Sequence, residues 1–131
     1  MKVLVPIDGS DCSYRALRFA TDFVQRYNGD LHVVHITDYE GETTETIMDR
    51  ARSILAEADV LDDPEIVTDF RMSDPRYANA VGKDILRIVE DNDYDHVIMG
   101  HHGTGAVGRM ILGSAARTVI QAAEIPATVI P

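Results

Sequence analysis

Short apolar runs alternate along this chain with longer segments in which apolar residues recur at every third or fourth position. The short runs have the length and the β-branched content of strands, whereas the longer segments have the period of an amphipathic helix. Strands that alternate with helices predict a mostly parallel sheet, because parallel neighbours need a long crossover that a helix usually supplies. The alternation therefore predicts an α/β fold in the order β-α-β-α-β-α-β-α-β.

The predicted elements cover most of the chain. Strands are expected at residues 3–7, 31–36, 66–70, 96–99 and 127–130. The first helix follows Ser10, a favourable N-cap residue, and is closed by Asn28 and Gly29. The fourth helix is expected to run from Ser114 to about residue 123.

Two segments between these elements are expected to be irregular. Polar residues 38–46 predict a loop or an adaptable lid, and residues 72–76 predict a linker. On each helix, one apolar face is expected to point inward. This face includes Ala78, Val81, Ile85, Ile88 and Val89 on the third helix, and Ala116, Val119, Ile120 and Ala123 on the fourth.

Five parallel strands with right-handed crossovers and helices on both faces are expected to form a doubly wound sheet in the strand order 3-2-1-4-5. In that sheet the strand order reverses between strands one and four. Ligands of doubly wound proteins bind beyond the carboxyl ends of the strands at such a reversal. We therefore expect one domain, residues 1–131, with its binding site near residues 8–10 and 100–103.

The segment after the fourth apolar run is rich in glycine. Gly100, Gly103 and Gly113 have no Cβ, so their backbone N–H groups can approach a ligand closely. Ser114 adds a hydroxyl at the first turn of a helix, whose positive end attracts phosphate oxygens. The glycine pattern and the predicted topology thus indicate a phosphate-binding site at the same edge of the sheet.

Together these residues resemble a known family. The opening segment 3–10, the segment 35–38, the spacing Gly100-x2-Gly103-x9-Gly113-Ser114 and the closing segment 125–129 are similar to the universal stress proteins, in the branch that binds ATP. The resemblance extends over essentially the whole chain. It implies an adenine nucleotide alpha-hydrolase-like fold and a role as a stress-response sensor or adaptor.

The resemblance also implies which residues contact the nucleotide, ATP with Mg²⁺. Around the phosphates and the ribose it places Gly100, Gly103, Gly113 and Ser114. The opposite wall and the adenine side include Pro6, Ile7, Asp8, Ile36 and Met99. Two further candidates are Arg109, for a phosphate contact, and His102, for a contact with the nucleotide or closure of the loop.

Three roles are open for Asp8. A carboxylate repels phosphates unless a cation lies between them, so Asp8 can hold Mg²⁺, partly through water. It can instead accept a hydrogen bond from a ribose hydroxyl. The third role is only structural, as a cap of the first helix.

Metal ligands other than Asp8 are not expected. His101 and His102 are adjacent and should point apart on an extended loop, and the sole cysteine, Cys12, is distant from them in sequence. Cys12 itself is expected to be a small packing residue or, alternatively, a thiol activated by the end of the first helix.

No residue is assigned a catalytic role. The chain has no Walker A sequence and no nucleophile elbow, and no pair among its 22 acidic residues can be singled out for acid–base chemistry. We therefore expect a nucleotide-binding protein that is not an enzyme. The alternatives are a slow ATPase and a nucleotide-free dimeric interaction module. The short apolar last strand and the family resemblance imply a homodimer through Ala127–Ile130.

Acidic side chains outnumber basic ones, 22 to 12, which gives a net charge of −10. This charge opposes binding to nucleic acid and to anionic membranes. The protein is either simply acidic or adapted to a cytoplasm with molar salt, in which a Debye length of about 3 Å screens the repulsion. The single cysteine, the strand-like N-terminus and the absence of an apolar run of about 20 residues favour a cytoplasmic protein.

The charge excess predicts that stability depends on salt. Raising potassium chloride from about 0.1 M to about 2 M should raise the melting temperature, because screening weakens the repulsion among carboxylates. Circular dichroism melts at constant pH measure this effect. A melting temperature that stays level would favour the simply acidic protein over adaptation to salt.

Overall fold

The computed structural model describes residues 1–77, 79–102 and 112–131. Its strands are β1 (Lys2–Pro6), β2 (Asp30–Thr37), β3 (Glu65–Thr68), β4 (His96–Gly100) and β5 (Ala127–Ile130). Its helices are α1 (Asp11–Tyr27), α2 (Glu42–Glu57), α3 (Ala80–Asn92) and α4 (Ser114–Ala122), with a 3₁₀ turn at Phe70–Ser73. The alternation expected from the sequence is confirmed.

The strands form one parallel sheet in the order β3-β2-β1-β4-β5. The central strand β1 pairs with β2, where Val5 lies opposite Val33, and with β4, where Leu4 lies opposite Val97. Strands β3 and β5 form the two edges. The doubly wound sheet is therefore confirmed, with the reversal of strand order between β1 and β4.

Two apolar cores cover the two faces of the sheet. Because neighbouring side chains on a strand point to opposite faces, Val3 and Val5 pack with α1 and α2, while Leu4 packs with α3 and α4. Strand β4 divides its side chains in the same way, with Ile98 in the first core and Val97 in the second. Each buried side chain of this kind contributes about 1.5–3 kcal/mol. Helices on both faces thus leave only the ends and edges of the sheet for a ligand.

The ends of α1 are those that the sequence predicted. The Ser10 hydroxyl oxygen accepts a hydrogen bond from the Ser13 N–H at 3.1 Å, which is a typical N-cap contact. At the other end, Asn28 adopts φ 52° and ψ 45°, and its N–H donates to the Val24 carbonyl. This left-handed residue closes the helix.

The segment between β2 and α2 differs from the prediction. Residues 38–46 were expected to be irregular, but α2 begins at Glu42, so the connection comprises only residues 38–41. The Thr44 hydroxyl explains the early start, because it accepts a hydrogen bond from the Gly41 N–H at 3.4 Å and donates one to the Tyr39 carbonyl at 3.2 Å. The polar residues from Glu42 onward therefore belong to α2 and not to a loop.

The segment after β3 also differs. Strand β3 ends at Thr68, two residues earlier than expected, and the 3₁₀ turn Phe70–Ser73 replaces part of the expected linker. The Asp69 carboxylate accepts a hydrogen bond from the Arg71 N–H at 2.9 Å and so caps this turn. The strand therefore ends before Asp69, although the alternation of apolar residues predicted that it would continue to residue 70.

The inward face of α4 is narrower than predicted. Ala116 and Val119 are buried as expected, but Ile120 is 46% exposed. Ala123 is also exposed, since it lies beyond the helix in a left-handed conformation with φ 54°. The helix spans only nine residues, and its contact with the sheet buries a single stripe. Ala78, expected on the inward face of α3, lies outside the described residues.

Among the described residues, no helix combines the length and the apolar character needed to cross a membrane.

Candidate functional site

A cavity of about 270 Å³ lies at the carboxyl ends of β1 and β4, where the strand order reverses. Residues from both strand ends, from the first turn of α4 and from one face of α3 meet there. It is lined by Pro6, Ile7, Asp8, Ser13, Ile36, Met72, Val81, Ile85, Met99, Gly100, His101, His102, Gly113, Ser114, Ala115 and Ala116. The cavity thus occupies the place at which doubly wound sheets bind ligands.

All the site residues proposed from the sequence that the structure describes line this one cavity. They are Pro6, Ile7, Asp8, Ile36, Met99, Gly100, His102, Gly113 and Ser114. The remaining two, Gly103 and Arg109, lie outside the described residues. The sequence therefore located the cavity, while the contacts of these residues with a nucleotide stay a prediction.

Several lining residues were missed. Ala115 and Ala116 follow Ser114 in the first turn of α4, so their N–H groups could have been included with that of Ser114. Val81 and Ile85 from α3 and Met72 from the 3₁₀ turn form an apolar wall. Nothing local in the sequence signals this wall, because it arises from the packing of distant segments.

The turn between β1 and α1 is held by Asp8. One carboxylate oxygen of Asp8 accepts hydrogen bonds from the Ser10 N–H at 3.0 Å and from the Ser10 hydroxyl at 2.6 Å. Between them, Gly9 has φ +86°, and a Cβ there would lie 2.8 Å from the side chain of Ile47. Asp8 therefore stabilises the turn that presents its own carboxylate at the cavity. The cap of α1 is Ser10 and not Asp8, so the structural role of Asp8 is to hold the capping residue.

The two helices that start beside the cavity differ at their N-termini. Helix α1 is capped by the Ser10 side chain, whereas the N-cap residue of α4 is Gly113, which has no side chain for a capping hydrogen bond. The Gly113 N–H donates to the His101 carbonyl at 2.6 Å, which fixes the start of α4 beside the end of β4. The first-turn residues of α4 line the cavity, so this helix directs its positive end toward any ligand there.

The end of β4 lies directly against the start of α1. A Cβ on Gly100 would be 2.7 Å from the Cys12 sulfur and 3.2 Å from the Ser13 nitrogen, so only glycine fits. Cys12 is fully buried in this contact. The next two residues bring their rings together, with the His101 and His102 centroids 4.1 Å apart. The expectation that these side chains point apart is wrong, because the chain turns immediately after β4.

Comparison with known proteins agrees with this architecture. A model of the universal stress protein family matches residues 1–131. A Thermus aquaticus protein described as "Universal stress protein in QAH/OAS sulfhydrylase 3'region" is 32% identical over 133 residues, with 95% of this chain and 93% of that protein covered. The chain belongs to the universal stress protein family.

Solved universal stress protein structures share the fold. One from Archaeoglobus fulgidus in complex with dAMP has a TM-score of 0.73 and 21% identity, covering 100% of this chain and 98% of that one. Another, in complex with cAMP, has a TM-score of 0.75 and 19% identity, covering 100% of this chain and 96% of that one. At these identities the likeness establishes the fold.

In this universal stress protein, Asp69 and Asp84 form an acidic pair that is linked by Arg71. The side chain of Asp84, between the wall residues Val81 and Ile85, is only 1% exposed. One of its oxygens accepts hydrogen bonds from Arg71 at 2.6 Å and Arg87 at 2.8 Å, and Arg71 also binds Asp69. The other Asp84 oxygen has no hydrogen-bond partner among the described residues.

Burial and the neighbouring Asp69 carboxylate raise the pKa of Asp84 to about 6. Hydrogen bonds from Arg71 lower the pKa of Asp69. The two carboxyl groups are therefore unequal: Asp69 stays ionised, while Asp84 takes up a proton in mildly acidic solution.

Replacing Asp84 by asparagine should stabilise the protein at pH 8 and have little effect at pH 4. A carboxyl whose pKa is raised by folding contributes its full stability below the unfolded pKa of about 4 and loses it as the pH rises through about 6. Asparagine imitates the protonated form at every pH. Urea unfolding measures the difference in unfolding free energy between Asp84→Asn and the wild type. This difference should be about 1–3 kcal/mol more favourable to the variant at pH 8 than at pH 4.

Asp74→Asn provides the matched control. Hydrogen bonds from Arg76 lower the pKa of Asp74, so the stability that its carboxylate contributes is present above the unfolded pKa of about 4 and is lost only at lower pH. The unfolding free energies of Asp74→Asn and the wild type should therefore run nearly parallel between pH 4 and pH 8. If the unfolding free energies of Asp84→Asn and the wild type ran parallel between pH 4 and pH 8, the assignment of a raised pKa to Asp84 would be wrong.

Proposed function

We propose that this universal stress protein binds an adenine nucleotide, ATP with Mg²⁺, in the cavity and acts as a nucleotide-dependent stress sensor or adaptor in the cytoplasm. The observation that carries the proposal is the first turn of α4, which lines the cavity and whose N-cap residue, Gly113, has no side chain that could cap it. Backbone N–H groups at such a helix start are suited to phosphate oxygens.

The phosphates would lie against Gly113 and Ser114. A helix N-terminus contributes about 0.3–1 kcal/mol toward an anion, and up to about 2 kcal/mol where it is partly buried, so several groups must act together. Ser114 offers a hydroxyl beside the N–H groups of the turn, and Gly100 brings backbone to the opposite side. Gly103 and Arg109 stay proposed phosphate contacts on the sequence resemblance alone.

The adenine and ribose would occupy the apolar part of the cavity, between Ile36 and the wall formed by Met72, Val81 and Ile85. The cavity volume of about 270 Å³ lies just below the range of about 300–1,000 Å³ that is typical of small-molecule sites. The complexes of related universal stress proteins with dAMP and with cAMP support an adenine nucleotide as the ligand class.

Asp8 would face the nucleotide from the opposite wall. Its carboxylate, oriented by Ser10, would hold Mg²⁺ between itself and the phosphates or accept a hydrogen bond from the ribose. We assign no catalytic residue, and the proposed activity is binding without rapid hydrolysis.

The proposed assembly is a homodimer through β5. This strand lies at the sheet edge beyond β4, and each of its residues, Ala127–Ile130, is only partly buried. The Pro126 carbonyl accepts from Val97 of β4 and the Ile130 carbonyl accepts from His101 just after it, so the period of two directs the N–H of Val129 toward the other edge. No strand of the described residues pairs with that edge, and an edge of this kind is a template for strand pairing.

Replacing Gly113 by valine should weaken nucleotide binding at least tenfold, or about 1.4 kcal/mol. Gly113 has φ −62° and ψ 156°, which valine also adopts, so the substitution fills space at the phosphate position without backbone strain. Calorimetry with AMP, ADP and ATP, each with and without Mg²⁺, measures the loss. Gln121→Val, at the exposed far end of the same helix, is the control and should bind as the wild type does. A wild-type protein that gives no heat with millimolar adenine nucleotide and Mg²⁺ would overturn the proposal.

Replacing Val129 by proline should convert the dimer to a monomer, because it removes the N–H directed toward the open edge. Val129→Ala keeps that N–H and is the control for the lost side chain. Sedimentation at micromolar concentration distinguishes the two states, and circular dichroism verifies the fold. A wild type that sediments as a single 14.5 kDa chain would exclude the dimer.

A further inference from the structure

A thiol and two imidazoles meet at the start of α1. One ligand atom from each of Cys12, His101 and His102 lies within 4.8 Å of the other two. Among the described residues this is the one cluster of at least three histidine, cysteine or carboxylate groups with that spacing. We propose that these three residues form a binding site for a divalent transition-metal ion of the zinc type.

The backbone brings the three side chains together. Cys12 is the second residue of α1, and Gly100 leaves room for its sulfur because it has no Cβ. The chain then turns at His101, whose N–H donates to the Ile130 carbonyl at 2.9 Å and to the Cys12 sulfur at 3.2 Å. The site therefore depends on the same close contact between β4 and α1 that shapes the cavity.

The distances suit tetrahedral coordination. With metal–sulfur bonds of about 2.3 Å and metal–nitrogen bonds of about 2.0–2.1 Å, ligand atoms of a tetrahedral site lie about 3.3–3.6 Å apart. The Cys12 sulfur is 3.3 Å from Nδ1 of His101. The His102 ring lies edge-on to that of His101, and its ligand nitrogen lies within 4.8 Å of the other two ligand atoms. Closing the site therefore requires this nitrogen to approach them by no more than about 1.2–1.5 Å.

The chemical types of the three ligand atoms determine which metal ions the site favours. One thiolate and two imidazoles favour zinc and similar ions, whereas Mg²⁺ requires oxygen ligands. Three protein ligands leave one position for water or for an anionic oxygen. His101 and His102 line the cavity, so that position is accessible from it. This site is distinct from the Mg²⁺ that would accompany a nucleotide, and it does not depend on the proposed function.

The surroundings fit the loss of a proton that binding requires. The Cys12 S–H bond breaks, its proton passes to solvent, and the sulfur lone pair forms the bond to the metal. The Ile130 carbonyl, which accepts from the Cys12 thiol at 3.0 Å, keeps its hydrogen bond from the His101 N–H. The same N–H also donates to the sulfur, so both acceptors stay satisfied.

Titration of the nucleotide-free protein with Co²⁺ tests the site. Cys12 is the only cysteine, so a thiolate-to-cobalt charge-transfer absorption reports it alone. We expect one Co²⁺ per chain with this absorption, and Zn²⁺ should displace the Co²⁺ and abolish it. No charge-transfer band at an excess of Co²⁺ would overturn the proposal.

Variants separate this site from adventitious binding. Cys12→Ala should abolish the band. His101→Ala and His102→Ala should each weaken Co²⁺ binding more than tenfold, because the loss of even an outer-shell partner weakens metal binding by at least about tenfold. His32→Gln is the control. His32 lies on β2 and pairs with Asp62, away from the proposed site, so this variant should bind Co²⁺ as the wild type does. Cys12→Ser substitutes for Cys12→Ala if the alanine variant fails to fold. A Co²⁺ affinity that stays at the wild-type value in both histidine variants would contradict the three-residue site.

Discussion

The parallel pairing of β1 with both β2 and β4 is the constraint on which the rest of the structure depends. Parallel strands end at the same edge of a sheet, and buried helices cover both faces, so the polar residues that follow the strands collect at that edge. Because β2 and β4 lie on opposite sides of β1, the helices that follow β1 and β4 start from opposite faces. A cavity opens between them, and Asp8, Gly100 and Ser114 meet there although they are far apart in sequence.

At this edge the two helix starts have different N-cap residues, a serine on α1 and a glycine on α4. Ser10 satisfies the first turn of α1, and a cap of this type contributes about 1 kcal/mol to stability. Gly113 gives α4 no comparable hydrogen bond. A side-chain cap on α4 would occupy the same first-turn N–H groups that a ligand would use. Glycine at this N-cap therefore suits the proposed role of these N–H groups in ligand binding. The close packing of Gly100 on Cys12 holds the two helix starts near each other, which makes the first turn of α4 part of a defined cavity.

The sequence predicted the fold well because its signals are local. Ser10, Asn28 and the apolar runs each act within a few residues, and together they predicted the strand order and the position of the cavity. Features that depend on distant contacts were missed. Cys12 and His101 are 89 residues apart and meet only through the β1–β4 pairing. The ion pair of Asp84 with Arg71 needs the 3₁₀ turn that Asp69 caps, and no periodicity indicates it. Ile120 was wrongly predicted to be buried, because an apolar residue does not by itself show how wide the buried face of its helix is.

The acidic composition and the proposed anion site are compatible because they act over different distances. The net charge of −10 opposes the approach of an anion through its long-range field, which is screened within about 10 Å at 0.1 M salt and about 3 Å at 1 M. Hydrogen bonds from the first turn of α4 act at about 3 Å inside a cavity, where mobile ions screen them far less. Recognition by fixed backbone N–H groups therefore needs no excess of basic side chains. These local hydrogen bonds change little with ionic strength, whereas the opposing field of the surface carboxylates weakens as the salt concentration rises.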